Sequence, residues 1–225
     1  MLLLAHRGYH ASFPENTMAA FAAATRLGVD GIETDVRLSG DGEPVIMHDR
    51  VTPRQRAVAE LTRREIEHDL GHPVPLLAEV LAAFPGVLWN IEIKNVEALP
   101  ATLAVLGPYS GKRRLLVTSF RHDVVGAVAR QIAVDCGLLL AHRPLDVASI
   151  IAGWAAEPRI KAIVWNYDIV DAAALQAVEH AGWRNYVYGA VTPAEHQRCA
   201  QLGLAGLITD YPPLALQTIC HSYSR

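Results

Sequence analysis

Two histidine-containing strings, Ala5-His6-Arg7-Gly8 and His48-Asp49, flank a Glu33-Thr34-Asp35 triplet, and Glu92-Ile93-Lys94 follows further along the chain. Each ends a short apolar run, where a strand would deliver its last side chains to one rim of a sheet. Two imidazoles, three carboxylates and two fixed cations on such a rim are the components of metal-assisted phosphoryl chemistry. Glu33 and Asp35 are two residues apart, so on one strand they point to the same side. Carboxylates that close repel and raise each other's pKa unless a cation sits between them. Glu92 can add a third oxygen from the next strand. Oxygen-only ligation with open positions suits Mg²⁺ or Ca²⁺ and argues against a zinc site.

His6 and His48 follow different strands. Cleaving a phosphodiester needs one group to take a proton from the nucleophile and another to give one to the leaving alkoxide, and histidine can do either near neutral pH. Asp49 can fix a ring tautomer. Arg7 offers a bidentate fork for phosphate and Lys94 a point charge. Taken singly, each residue has an ordinary structural account: a surface Glu-x-Asp, a buried histidine, an arginine salt-bridged to a rim carboxylate. Their number and matched placement favour a site. Asp210, in Thr209-Asp210-Tyr211-Pro212, ends the last strand and can orient a rim residue. Trp165 and Tyr188 can wall a pocket or pack a core, and His122 and His142 at loop ends stay closer to structural roles.

Positioning these residues requires strands alternating with helices. Strand-type runs occupy 2–5, 31–36, 45–47, 88–93, 115–118, 137–140, 162–165, 185–188 and 206–209. Helices are expected over 17–27, stopped by Gly28; over 172–181, capped by Asp171; and after the capping box Thr192-Pro193-Ala194-Glu195, ending at Gly203. The alternation implies parallel pairing through right-handed crossovers. Runs 31–36 and 45–47 are joined by the tight turn Ser39-Gly40-Asp41-Gly42, which suggests eight barrel strands plus an extension. No Gly-x-Gly-x-x-Gly or P-loop follows any strand, which counts against an open doubly wound sheet. The expectation is therefore an α/β chain, a compact (β/α)₈ TIM barrel over residues 1–225, with a short cap at 50–75 after the second strand region. That cap is rich in charge and is expected to be helical over 57–70, rising over the rim. It is either a solvated connector or a place where Arg54 or Arg56 attracts an anion.

Composition sets the outer bounds. Apolar residues are 51% and charged residues 19% of 225, enough for a large core and contrary to disorder. A net charge of −3 argues against a nucleic-acid or anionic-membrane binder. Cys136, Cys199 and Cys220 lack any Cys-x-x-Cys spacing and read as reduced thiols. No apolar run is long enough for a membrane span, and the first residues do not form a signal segment, so a cytoplasmic protein is expected. Oligomeric state is not readable.

In order along the chain, the motifs resemble those of the glycerophosphodiester phosphodiesterase family: His6-Arg7-Gly8, Pro14-Glu15-Asn16-Thr17, Glu33-Thr34-Asp35-Val36, and the Asp41-to-Asp49 stretch. They continue through Pro75, Leu77, Glu79, Val80 and Leu81, then Glu92 with Lys94, Ser119-Phe120, and Thr209-Asp210 with Pro212. The resemblance implies a (β/α)₈ barrel that hydrolyses glycerophosphodiesters to an alcohol and glycerol 3-phosphate. It implies Glu33, Asp35 and Glu92 as ligands of a divalent metal, His6 and His48 as acid and base, and Arg7 and Lys94 as phosphate contacts. The implied partner is a small-molecule phosphodiester.

The chain departs from the family pattern after His48-Asp49, where Val51-Thr52-Pro53-Arg54 and a short cap replace an R-T-T-like stretch and a longer insertion. It departs again where Tyr188-Gly189-Ala190-Val191 stands for W-T-V-N. Both places touch the head-group side of the site. Two alternatives follow: a lysophospholipase D-like enzyme with an apolar groove beside the mouth, and a non-catalytic barrel that only binds a phosphorylated ligand.

Overall fold

The computed structural model describes residues 1–222, with side-chain surroundings given through residue 219. Cys220, one of the expected reduced thiols, lies past residue 219, outside the residues whose side chains are described. The strands are β1 (Leu2–His6), β2 (Gly31–Leu38), β3 (Pro44–Ile46), β4 (Leu88–Ile93), β5 (Leu115–Ser119), β6 (Asp135–Leu140), β7 (Ile160–Asn166), β8 (Arg184–Tyr188) and β9 (Gly206–Thr209). Their order is β1-β9-β8-β7-β6-β5-β4-β2-β3, and β1 also pairs with β2 in parallel. That pairing closes eight parallel strands into a barrel, leaving no exposed edge in the ring. The antiparallel β3 hangs on β2 as the expected extension.

Helices cover the outside: α1 (Met18–Arg26), α2 (Arg63–Leu70), α3 (Leu77–Ala83), α4 (Leu99–Leu106), α5 (His122–Gln131), α6 (Val147–Gly153), α7 (Ala172–His180), α8 (Pro193–Gln201) and α9 (Pro212–Ser222). Among the described residues no helix is long and apolar enough to cross a membrane. Asp171 caps α7, and Thr192 with Glu195 forms the capping box of α8. Two helix starts differ from expectation. The helix expected from residue 17 starts at Met18, with Thr17 as its cap, the Thr17 hydroxyl accepting from Ala20 N–H. Asn16 turns into the barrel. The helix expected over 57–70 begins only at Arg63, because Thr62 and Glu65 form a capping box and a short 3₁₀ turn, Val58–Glu60, precedes it.

The period of two along each strand divides the barrel into two worlds. Outward residues such as Leu3, Ala5, Ile32, Trp89, Ile91, Val117, Ile163 and Leu207 pack under the helices in the main core. Inward residues Leu4, Leu88, Leu116, Leu139, Val164, Tyr186 and Ile208 fill the barrel floor. Gly206 makes room there, since a Cβ would lie 2.6 Å from the Tyr186 ring. Toward the strands' C-terminal ends the same inward rows turn polar: Leu4 to His6 on β1, and Leu88 to Asn90 to Glu92 on β4. The apolar floor thus carries a polar mouth.

The cap at 50–75 has its own small core of Val58, Leu61, Ile66 and Val74 against Val45 and Met47. Arg56 forks onto Asp69 with both bonds at 2.9 Å, and Arg54 lies 3.6 Å from the same carboxylate. These arginines are spent inside the cap. Among the described residues, the cap contributes none to the lining of the mouth cavity, so it stands beside the rim rather than over it.

Candidate active site

The site begins with strand register. His6 on β1 sits opposite Glu33 on β2, and Asp35 sits opposite Glu92 on β4. Neighbouring strands lie about 4.8 Å apart, so three inward carboxylates are forced together. Carboxylate oxygens of Glu33, Asp35 and Glu92 lie within 4.8 Å of one another, all buried. His48 arrives differently: β3 folds back on β2, and Met47 N–H donates to the Asp35 carbonyl at 3.1 Å. The Arg37 guanidinium then donates to the His48 carbonyl at 2.7 Å, holding that turn.

The loop after β1 is built on unusual backbone. Arg7 and Gly8 both have positive φ, 53° and 80°, and so does Asn16 at 58°. Left-handed backbone at a non-glycine residue is strained and persists where surrounding contacts over-determine it. Here they do. Arg7 N–H donates to the Glu33 carbonyl at 3.0 Å, and Asn16 N–H to the Arg7 carbonyl at 3.0 Å. The Asn16 amide donates to Asp35 Oδ2 at 2.9 Å and accepts from the Thr34 hydroxyl at 2.8 Å. Gly8 is required because a Cβ would meet Ala20 at 2.8 Å.

Charge is concentrated. Lys94 Nζ lies 2.7 Å from Glu92 and 3.3 Å from Asp35, while Arg7 Nε is 3.3 Å from Asp35 and its Nη1 2.9 Å from Glu15. Burial, then the Asp35 and Glu92 charges, push the Glu33 carboxyl well above the usual range. Burial also raises Glu92, despite Lys94. For Asp35 burial pulls upward, but Lys94, Arg7 and His48 outweigh it and hold the group low. Asp35 Oδ1 is buried and accepts no hydrogen bond even with Lys94 in ion-pair range. Three crowded oxygens, two of them reluctant to ionise and one unsatisfied, fit a hard divalent cation better than they fit each other.

Both imidazoles carry a carboxylate on Nδ1. His6 Nδ1 is 2.5 Å from Asp210 Oδ1, and His48 Nδ1 is 2.8 Å from Asp49 Oδ1. With Nδ1–H donated to its carboxylate, each ring would keep a lone pair on Nε2; that of His6 lies 3.7 Å from Glu33. Burial would raise Asp210, but His6 and His10 hold it well below the ordinary carboxylate value. It therefore stays an ionised acceptor.

The cavity over these groups holds about 200 Å³. Its lining combines the charged and titratable His6, Arg7, Glu33, His48, Glu92 and Lys94 with Asn90 and Thr118 and the larger, mostly apolar Phe120, Leu139, Tyr188 and Ile208. Six of the seven residues singled out by sequence are thus at one cavity, with Asp35 beneath them in the acidic cluster. Tyr188 walls the cavity, edge-on to Phe120 at 6.3 Å. Trp165 does not; it is core, its indole donating to Asn185 at 2.9 Å. His122 is used on the Leu139 carbonyl, and His142 is exposed in a loop. Sequence reasoning missed the work of Asn16 and Glu15, quoted only within a motif, and missed His10 altogether, which bonds Asp210 at 2.9 Å. The positive-φ loop that turns Asn16 inward has no signal in residue spacing.

A (β/α)₈ barrel with this mouth defines an enzyme of the phosphoric diester hydrolase class. Residues 6–214 match the model of the glycerophosphoryl diester phosphodiesterase family, and the chain belongs to that family. It is 28% identical to a glycerophosphodiester phosphodiesterase of Caldanaerobacter subterraneus over 97% of each chain. It is 25% identical to a human lysophospholipase D, covering 98% of this chain and 86% of that protein. The structure of an Oleispira antarctica phosphodiesterase in complex with the product sn-glycerol-3-phosphate superposes with a TM-score of 0.86 at 22% identity, over 98% of this chain and 97% of that one.

Proposed function

We propose that this chain hydrolyses glycerophosphodiesters to an alcohol and glycerol 3-phosphate, using a divalent cation, Mg²⁺ or Ca²⁺, held by Glu33, Asp35 and Glu92. One observation carries the reading: the three-carboxylate cluster lies under a cavity that also presents two imidazoles, each backed by a carboxylate. The cation would polarise the phosphoryl oxygens. His6 and His48 divide the proton transfers, one ring taking a proton at Nε2 from the attacking hydroxyl and the other giving one to the leaving alkoxide. Arg7 and Lys94 line the cavity and share the negative charge as it grows on phosphate. The mostly apolar Phe120, Leu139, Tyr188 and Ile208 pack against the uncharged part of the substrate. A cavity of about 200 Å³ is smaller than the roughly 300–1,000 Å³ of drug-sized ligand sites, which supports a small substrate. The glycerol 3-phosphate bound by the Oleispira enzyme supports the same class.

A second reading has its own observation. Among the described residues, the exposed large hydrophobics Met18, Val96, Phe120, Leu145, Val191 and Tyr211 all lie in segments that follow C-terminal ends of barrel strands. Such a rim suits an acyl chain left outside a small polar cavity, as a lysophospholipase D would require. The test is metal-dependent release of glycerol 3-phosphate from a panel of glycerophosphodiesters, beside choline release from lysophosphatidylcholine. Higher kcat/KM on glycerophosphocholine upholds the first reading and higher kcat/KM on the lysolipid the second. Ligand binding without any turnover refutes both.

A further inference from the structure

His6 faces two different donor sets. On its Nε2 side are the oxygens of the acidic cluster. On its Nδ1 side is a group the proposed reaction leaves partly unused: His6, His10 and Asp210, whose ligand atoms lie within 4.8 Å of one another. β1 and β9 pair Ala5 with Thr209, so the next residues, His6 and Asp210, leave the barrel side by side. His10 comes back from the turn after β1, its ring 6.3 Å from that of His6 and nearly perpendicular to it. His6 Nδ1 and His10 Nε2 converge on the same oxygen, Asp210 Oδ1, at 2.5 and 2.9 Å.

We infer that His6, His10 and Asp210 form a second metal site, selective for a borderline divalent ion such as Zn²⁺, whose occupation switches the enzyme off. Two imidazole nitrogens and one carboxylate on a single face, with positions left open, are a donor set for zinc or cobalt rather than for Mg²⁺ or Ca²⁺. Tetrahedral zinc–ligand bonds of about 2.0–2.2 Å hold donor atoms roughly 3.3–3.6 Å apart, so Asp210 Oδ1 must draw back from the two rings by about 1 Å or less to admit the ion. The side chains are 26%, 27% and 32% exposed, so an ion can reach them from solvent. The oxygen-only cluster beside them has the opposite preference. The two sites therefore sort their ions by donor chemistry.

The inhibitory effect rests on His6 being a proton carrier, as proposed above. An imidazole bound to metal through Nδ1 keeps its remaining proton on Nε2 and has no lone pair there to accept another. As a neutral ring it also does not release that proton near neutral pH. His6 is disabled as base and as acid alike.

The test uses the full chain saturated with Mg²⁺, so that the acidic cluster is filled. Co²⁺ is titrated by visible absorption and Zn²⁺ by its effect on turnover, in wild type and in His10→Ala. With turnover in each protein taken relative to its own zinc-free rate, His10→Ala should lose the cobalt absorption and need at least about tenfold more zinc for inhibition, since even outer-shell changes at metal sites weaken binding about 10–100-fold. Equal cobalt spectra and equal zinc sensitivity in the two proteins would place the ions on the carboxylates and overturn the site. A His10-dependent spectrum with undiminished turnover would uphold the site and remove His6 from proton transfer. The spectrum needs no substrate, so the site is tested even if the proposed reaction fails.

Discussion

Glu33→Gln makes one carboxyl of the acidic cluster permanently neutral and should move stability in opposite directions with and without a cation. With an effective dielectric near 20, two ionised carboxylates whose oxygens lie within 4.8 Å repel by at least about 3.5 kcal/mol. Glu33 faces two such neighbours, Asp35 and Glu92, while Arg7 and Lys94 offset part of the repulsion. The net gain on neutralisation is then on the order of 1–2 kcal/mol, a rise of about 2–8 °C in Tm for a chain of this size. The pH dependence has a definite sign. The folded-state pKa of Glu33 is raised, so the folded protein holds a proton that the unfolded chain has already lost. Metal-free wild type should therefore lose stability as pH rises from the ordinary carboxylate value through that raised one. Glu33→Gln should escape that loss. With cation at about 100 times its Kd, wild type gains about 2.7 kcal/mol, or about 5–11 °C, and the variant much less. The assay is thermal unfolding across pH in chelator and in Mg²⁺ or Ca²⁺. A variant less stable than wild type in chelator at neutral pH, with an undiminished cation shift, would refute the reasoning.

His6→Ala and His48→Ala should each lower turnover by about 10²–10⁴-fold with an unchanged circular dichroism spectrum; a ring whose removal leaves the rate near wild type is structural. Asp210→Asn should lower kcat about 10–100-fold with little change in KM, because a hydrogen bond to a charged group is worth about 1.5–3 kcal/mol. An effect on KM alone would count against an orienting role. Gly8→Ala must accept both a φ of 80° and a Cβ 2.8 Å from Ala20. It should cost about 1–3 kcal/mol, read as a lower midpoint in urea unfolding, and an unshifted midpoint would contradict the strain assigned there.

Much of the barrel was legible because its signals are local and periodic. Strand runs, the Asp171 and Thr192 caps and the Ser39–Gly42 turn each announce themselves within a few residues. The cap was misread where two local signals competed. The apolar spacing over 57–70 reads as helix, yet the Thr62–Glu65 capping box starts α2 at Arg63. The arginines there gave no sign of their partner, since Asp69 becomes one only when α2 folds back on the segment holding Arg54 and Arg56.

The sequence alone determined the chemistry on offer: which carboxylates, imidazoles and cations end strands, and, through their period of two, that they share a face. Tertiary structure decided their partners. Asp210 lies 204 residues from His6, and barrel closure alone makes them neighbours. Asn16 reaches Asp35 only through a left-handed turn held by contacts from β2. His10, unremarkable in sequence, gains its place from the same closure. Side-chain type is a local property and can be read along the chain. The field around each group is a sum over space, and it exists only once the barrel has closed.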